Sequence, residues 1–237
     1  MATIETIGLT KRYGHGSGAV RALDGVDVRI ESGEFVAVVG RSGSGKTTML
    51  DVLGLLARPT SGTVLIDGAD TTQLSDGRRA DLRGRRIGFV FQEYNLLPAL
   101  SVTENVLLPL RYTDGRGRAG RAGRTRAERL PDYVGLGERT THRPSELSGG
   151  QQQRVAIARS LINEPALVLA DEPTGAVDSR TAAELLSLMR RLNREEGVTF
   201  VIVTHDLELA GSCDRSIRLA DGRVAVDEAP REQRAVA

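Results

Sequence analysis

Glu34-Phe35-Val36-Ala37-Val38-Val39-Gly40-Arg41-Ser42-Gly43-Ser44-Gly45-Lys46-Thr47 decides the architecture of this chain. Glu34 to Val39 reads as a buried strand, a glycine-rich loop follows, and a helix begins near Lys46. The loop fits G-x-x-x-x-G-K-[ST], a pattern that chance produces in roughly 1% of chains of this size. It also has the required context, a strand before it and a helix after it. The glycines let backbone N–H groups converge on phosphates. Lys46 is placed to reach the β- and γ-phosphates, and the Thr47 hydroxyl to bind Mg²⁺. A tight strand–helix turn without a ligand is the bland alternative.

Downstream, Ala166-Leu167-Val168-Leu169-Ala170-Asp171-Glu172 is an apolar strand that ends in two carboxylates. In open α/β sheets ligands bind at the C-terminal ends of strands. Side chains alternate along a strand, so adjacent acids do different jobs. Asp171 is placed to hold Mg²⁺ through water, and Glu172 to polarise an attacking water. Alone, a strand ending in acids is a weak signal; a phosphate loop upstream strengthens it.

The rest of the chain fits the same plan. Ile4–Ile7 and Val26–Ile30 alternate as half-buried strands, and Val64–Ile66 and Ile87–Phe91 read as further strands. Helical patterns dominate from about Asn95 to Arg159. Beyond them, Thr199–Val203 is a second buried strand, preceded by an amphipathic helix near Thr181–Asn193. Strands alternating with helices imply an α/β core with a largely parallel sheet, and the helical middle reads as an insertion into it.

The chain has 237 residues and a net charge of +1, so no global field argues for nucleic acid or membrane. Cys213 is the only cysteine, which excludes an intrachain disulfide and fits a reducing compartment. No basic-then-apolar leader is read at the start, and no apolar run approaches the ~18 residues that span a bilayer. A membrane role is therefore expected to come through a partner. Lysine occurs only at Lys11 and Lys46, against a background of arginine. From Arg111 to Arg129 lie seven arginines and four glycines. This segment is expected to be a solvated loop, with contact to anionic lipid head groups as the functional alternative.

Leu147-Ser148-Gly149-Gly150-Gln151 adds a second surface. Ser148 and Gln151 have the spacing of a capping box, and Val155, Ala158 and Ile162 recur at helical spacing. Each glycine costs a helix about 1 kcal/mol relative to alanine. In the first turn they bare the N–H groups that favour an anion. LSGGQ is also the signature sequence of ATP-binding-cassette (ABC) ATPases, which the chain resembles from Tyr13 to about Gly222. The resemblance implies an α/β fold. It has a P-loop (RecA-like) core with a largely parallel sheet, an N-terminal antiparallel β-subdomain and an inserted helical subdomain. Residues 1–94 and 160–237 would form the core with the β-subdomain, and 95–159 the helical subdomain.

Site roles follow position by position. Tyr13 lies where the family sets an aromatic ring against adenine. Gly40, Arg41, Ser42, Gly43, Ser44, Gly45, Lys46, Thr47 and Thr48 would hold the phosphates, with Thr47, Asp171 and Gln92 on the Mg²⁺ side. Glu172 would activate water, assisted by Lys46, Gln92 and His205; His205 follows the strand Thr199–Val203 and would contact the γ-phosphate. Ser148, through its N–H and hydroxyl, and Gly149, Gly150 and Gln151 would face an ATP held mainly by a second copy. Gly175-Ala176-Val177-Asp178 matches the D-loop, with Val where Leu is commoner. Phe89–Pro98, Leu147–Arg154 and Leu169–Gly175 are most similar to the macrolide-export and lipoprotein-release subgroup.

The resemblance implies an ATP- and Mg²⁺-dependent transport ATPase. It would work as a homodimer, peripheral on the cytoplasmic side of the cell membrane, on permease subunits that dock around Gln92–Asn105. A regulatory ATPase on a membrane partner is the alternative. A soluble cassette acting on nucleic acid is disfavoured by the near-neutral charge and the absence of heptads.

Overall fold

The computed structural model describes residues 2–14, 16–113 and 121–228. The chain opens with two long strands, β1 (Ala2–Tyr13) and β2 (Val20–Glu31), followed by β3 (Phe35–Val39) and α1 (Lys46–Leu53). Next come β4 (Ser61–Ile66), β5 (Ala69–Asp70), α2 (Asp76–Arg86) and β6 (Ile87–Val90). The middle is helical: α3 (Val102–Leu107), α4 (Leu110–Thr113), α5 (Arg121–Tyr133) and α6 (Gly149–Leu161). Strands and helices then alternate through β7 (Leu167–Asp171), α7 (Ser179–Glu196), β8 (Thr199–Thr204) and α8 (Leu207–Gly211), before β9 (Arg215–Ala220) and β10 (Arg223–Glu228).

Two sheets result. A six-stranded sheet runs β10-β9-β3-β8-β7-β6, parallel except for β10, and a four-stranded antiparallel sheet runs β2-β1-β4-β5. All five β3 residues are buried, as a continuous apolar strand covered on both faces must be. Alternation splits it: Phe35 and Ala37 join one core with α6 and α7, while Val36 and Val38 join another with α1 and the antiparallel sheet. β7 and β8 stand side by side, with Asp171 opposite Val203. That pairing brings the two acid- and histidine-bearing strand ends together.

The expected amphipathic helix is α7, with Leu185, Leu188, Met189 and Leu192 buried. Ser148 caps α6 through the expected capping box with Gln151. The Arg111–Arg129 segment departs from the loop reading. α4 extends through Thr113 and α5 begins at Arg121, while residues 114–120 lie outside the described residues. Ala127 and Leu130 give α5 its buried anchor, so Arg121, Arg124, Arg126 and Arg129 belong to a packed helix. The helical insertion also has no sharp end at 159, because α6 continues to Leu161. No helix among the described residues is long and apolar enough to cross a membrane.

Candidate nucleotide site

The phosphate loop sits where β3 meets α1. Gly45 caps α1 with φ of 103°, a backbone that side chains rarely adopt, and no side chain caps the helix. Its first-turn N–H groups are left to a ligand. Lys46 folds back over the loop, donating to the carbonyls of Gly40 (2.8 Å) and Arg41 (3.0 Å). Ser44 turns the other way. It is buried, its N–H donates to Arg41 O, and a Cβ on Gly40 would press on its hydroxyl. Gly40, Arg41 and Ser44 therefore shape the loop from beneath.

The loop opens onto a cavity of about 720 Å³. Ser42, Gly43, Gly45, Lys46, Thr47 and Thr48 line its floor, and Gln92, Asp171, Glu172 and His205 its far wall. Tyr13 stands at the other end, 44% exposed, with the Lys11 ammonium 4.9 Å from its ring centroid. Val20, Arg21, Ala22 and Asp221 also line the cavity. No motif marks these four, because strand pairing and the Asp221-Gly222 turn deliver them there.

Asp171 ends β7 in this wall. Burial raises its carboxyl pKa first, the Glu172 and Asp51 charges push the same way, and Lys46 opposes them. A cation beside Asp171 would relieve that excess of negative charge. Glu172 follows with φ of 44°. Its Oε2 accepts from the Thr204 hydroxyl (3.2 Å), and its Oε1 lies 2.8 Å from His205 Nδ1. A carboxylate accepts only, so Nδ1 carries the proton of this pair. His205, expected against the γ-phosphate, is here turned to Glu172. Gln92 lies across Gly175, its Nε2 3.1 Å from where a Cβ on that glycine would stand.

The Ser148–Gln151 surface does not line this cavity. Ser148 N–H, expected to face phosphate, donates to Gln151 Oε1 (2.9 Å), and Ser148 Oγ accepts from Gln151 N (3.3 Å). The first-turn N–H groups without an intrahelical acceptor belong to Gly149 and Gly150. Both glycines also have a steric reason. A Cβ on Gly149 would lie 2.7 Å from the Tyr94 hydroxyl, and one on Gly150 would collide with Thr181 Cγ2. Asp178 is outside the cavity too. It caps α7, accepting from Thr181 N (3.0 Å) and Thr181 Oγ1 (2.7 Å), and these bonds hold its carboxyl below the usual range.

A phosphate loop, an acid-ended strand two places along the sheet and a histidine from the strand between converge on one cavity, and together they define a P-loop nucleoside triphosphatase. Comparison with known proteins narrows the class. A family model described as ABC transporter matches residues 23–175. The lipoprotein-releasing system ATP-binding protein LolD of Anaeromyxobacter dehalogenans is 50% identical over 225 residues, 95% of this chain and 93% of that one. The macrolide export ATP-binding/permease protein MacB of Syntrophobacter fumaroxidans is 49% identical over 240 residues, 99% of this chain. The chain spans 33% of that protein's length. A dimeric ATP-binding cassette solved in a post-hydrolysis state with ADP and Pi matches with a TM-score of 0.86 at 44% identity, covering 96% of this chain and 99% of that one. The chain belongs to the ABC transporter family, as its ATP-binding and ATP-hydrolysing cassette.

Proposed function

We propose that two copies of this chain face each other head to tail, each ATP held between the P-loop of one copy and the Ser148–Gln151 helix start of the other. The observation that carries this is the division of the site. One cavity collects the loop, Gln92, Asp171, Glu172 and His205, and the signature turn lies outside it. The dimeric form of the solved cassette supports the arrangement.

In the composite site the loop N–H groups and Lys46 hold the triphosphate, and Tyr13 stacks on the base. Thr47 and Asp171 would hold Mg²⁺, with Gln92 beside them. Mg²⁺ needs only one or two protein carboxylates when phosphates complete its shell, so the absence of a larger acidic cage among the described residues fits. When bound, the ion neutralises phosphate charge. Glu172, held by Thr204 at Oε2 and met by His205 at Oε1 before nucleotide binds, takes the proton of the attacking water. His205 leaves that contact when a γ-phosphate arrives. The partner copy's Gly149 and Gly150 N–H groups and the Ser148 hydroxyl meet the charge that develops on the phosphate.

A groove of about 610 Å³ is the proposed seat of a permease segment. Leu56, Phe91, Leu108 and Tyr112 give it an apolar lining, and Arg83 and Arg159 its charge. It lies between α2, β6 and the α3–α4 junction, beside the expected docking stretch Gln92–Asn105, of which Asn95 lines it. Through such a permease the chain would act at the cytoplasmic face of the membrane, in export or mechanical transmission of the macrolide-export and lipoprotein-release type.

The test is the concentration dependence of turnover. ATPase activity per subunit rises with protein concentration at high dilution, in step with dimer formation followed by light scattering. A constant specific activity with confirmed monomers defeats the composite site.

A further inference from the structure

Gln153 lies on α6 just beyond the signature turn and is completely buried, at 0% exposure. Its Nε2 donates to the Pro173 carbonyl at 2.6 Å and to the Phe91 carbonyl at 3.4 Å. Both neighbours are acceptors, which fixes the amide nitrogen towards them. The other end, Oε1, is buried with no hydrogen-bond partner among the described residues. An orphaned buried acceptor costs stability, while the nitrogen satisfies the Pro173 carbonyl, which an apolar side chain would leave unpaired. The use of this residue lies in what its nitrogen holds.

Pro173 directly follows Glu172, and Phe91 directly precedes Gln92. The left-handed backbone of Glu172 is a conformation that persists only where its surroundings over-determine it. Three hydrogen bonds do so. Glu172 N donates to Val203 O (2.9 Å), Gly175 N donates to Glu172 O (3.0 Å), and Gln153 holds the Pro173 carbonyl. The first two belong to β8 and to the turn itself. The third comes from the signature helix.

We infer that Gln153 is a positioning residue, a single buried amide on the signature helix that fixes the turn aiming the Glu172 carboxylate and ties it to the strand end bearing Gln92. A shift of α6, such as engagement of its N-terminus by the second copy's nucleotide would impose, is thereby passed to the hydrolytic turn of the same subunit. The inference rests on the proposed role of Glu172 as the group that activates water.

Two substitutions test it in the full chain, with Glu172→Gln as the reference. Gln153→Met keeps the volume and removes both the donor and the orphan. Its unfolding midpoint is expected to change little, since the Oε1 orphan is exchanged for an unpaired Pro173 carbonyl, with ADP affinity and KM unchanged, while kcat falls about ten- to a hundredfold through misplacement of the carboxylate. Gln153→Glu supplies a donor O–H only when protonated, and burial raises the pKa of such a carboxyl. Its kcat, taken as a ratio to wild type at each pH, is expected to climb as pH falls from about 8.5 to about 6. The same ratio for Gln153→Met stays flat. A pH-independent ratio for the glutamate variant overturns the inference. So does a Gln153→Met variant that keeps wild-type kcat while Glu172→Gln is inactive, or one that loses ADP binding and fold together with activity. An active Glu172→Gln variant overturns instead the reading on which the inference rests.

Discussion

Glu172 occupies a backbone region that glutamate rarely enters, and the strain has a purpose. With φ at 44° the side chain leaves the β7 line and turns towards the β8 end, where Thr204 and His205 hold one oxygen each. Glu172→Gln keeps the volume but abolishes the base, and it touches neither Lys46 nor the loop. Turnover is expected to fall roughly 10²–10⁴-fold, with ATP binding retained. Single-turnover hydrolysis beside equilibrium binding checks this, and near-normal hydrolysis would remove Glu172 from the base role. The motifs mark Glu172 and His205 separately, and both line the cavity. Their mutual contact was not legible, because it depends on the parallel pairing of β7 with β8 and on the tautomer of one ring. Gln153 left no mark either. In sequence it is one more glutamine on a helix, and its burial is a property of the assembled core.

At the scale of elements, the capping box of α6 was readable because its signal is local: Ser148 and Gln151 three residues apart. The glycines between them read as a phosphate surface, and they also admit Tyr94 and Thr181 to close contact. Gly150→Ala should therefore destabilise the free subunit by about 1–3 kcal/mol through overpacking. Thr181→Ser removes the offending Cγ2 and keeps the hydroxyl that bonds Asp178. The double variant is expected to recover most of the loss, a coupling that denaturant titrations of the four proteins would measure. Additive losses would show that the helix start is strained for another reason. Gly88→Ala is the contrast, since there the Cβ meets the Ser160 carbonyl, backbone that no side-chain change can withdraw. Helix α2 marks the limit of pattern reading. Asp76–Arg86 carries five arginines and no apolar stripe. It packs by burying Arg79, whose guanidinium is met by the Leu55 and Ala57 carbonyls. β9 and β10 alternate only over Ile217 and Leu219 and over Val224 and Val226, a signal too short to read as strands until β9 pairs with β3 and with β10.

On the proposed head-to-tail arrangement the whole molecule presents two incomplete halves of a site on one chain, and that geometry can be tested without a permease. Lys46→Ala disables the phosphate loop but leaves the Ser148–Gln151 surface intact. Ser148→Arg does the reverse, placing a bulky cation at the helix start while the subunit's own cavity stays able to bind ATP. Each variant alone should be inactive, because every composite site in either homodimer carries one damaged half. Mixed in equal amounts, the two form heterodimers in which one site combines the loop of the Ser148→Arg subunit with the helix start of the Lys46→Ala subunit. That site is wholly wild type, and its partner site carries both lesions. With random pairing, about a quarter of the sites in the mixture are intact, a consequence of the two-fold arrangement in which each surface meets its opposite. ATPase activity of the mixture should therefore rise well above that of either variant, up to this fraction of wild type if one intact site turns over alone. Heterodimer formation can be verified independently by differential tagging. An inactive mixture with heterodimers present would mean that both sites must fire together. Activity in Ser148→Arg alone would mean that loop and signature do not share an ATP, and the head-to-tail dimer would fall with it.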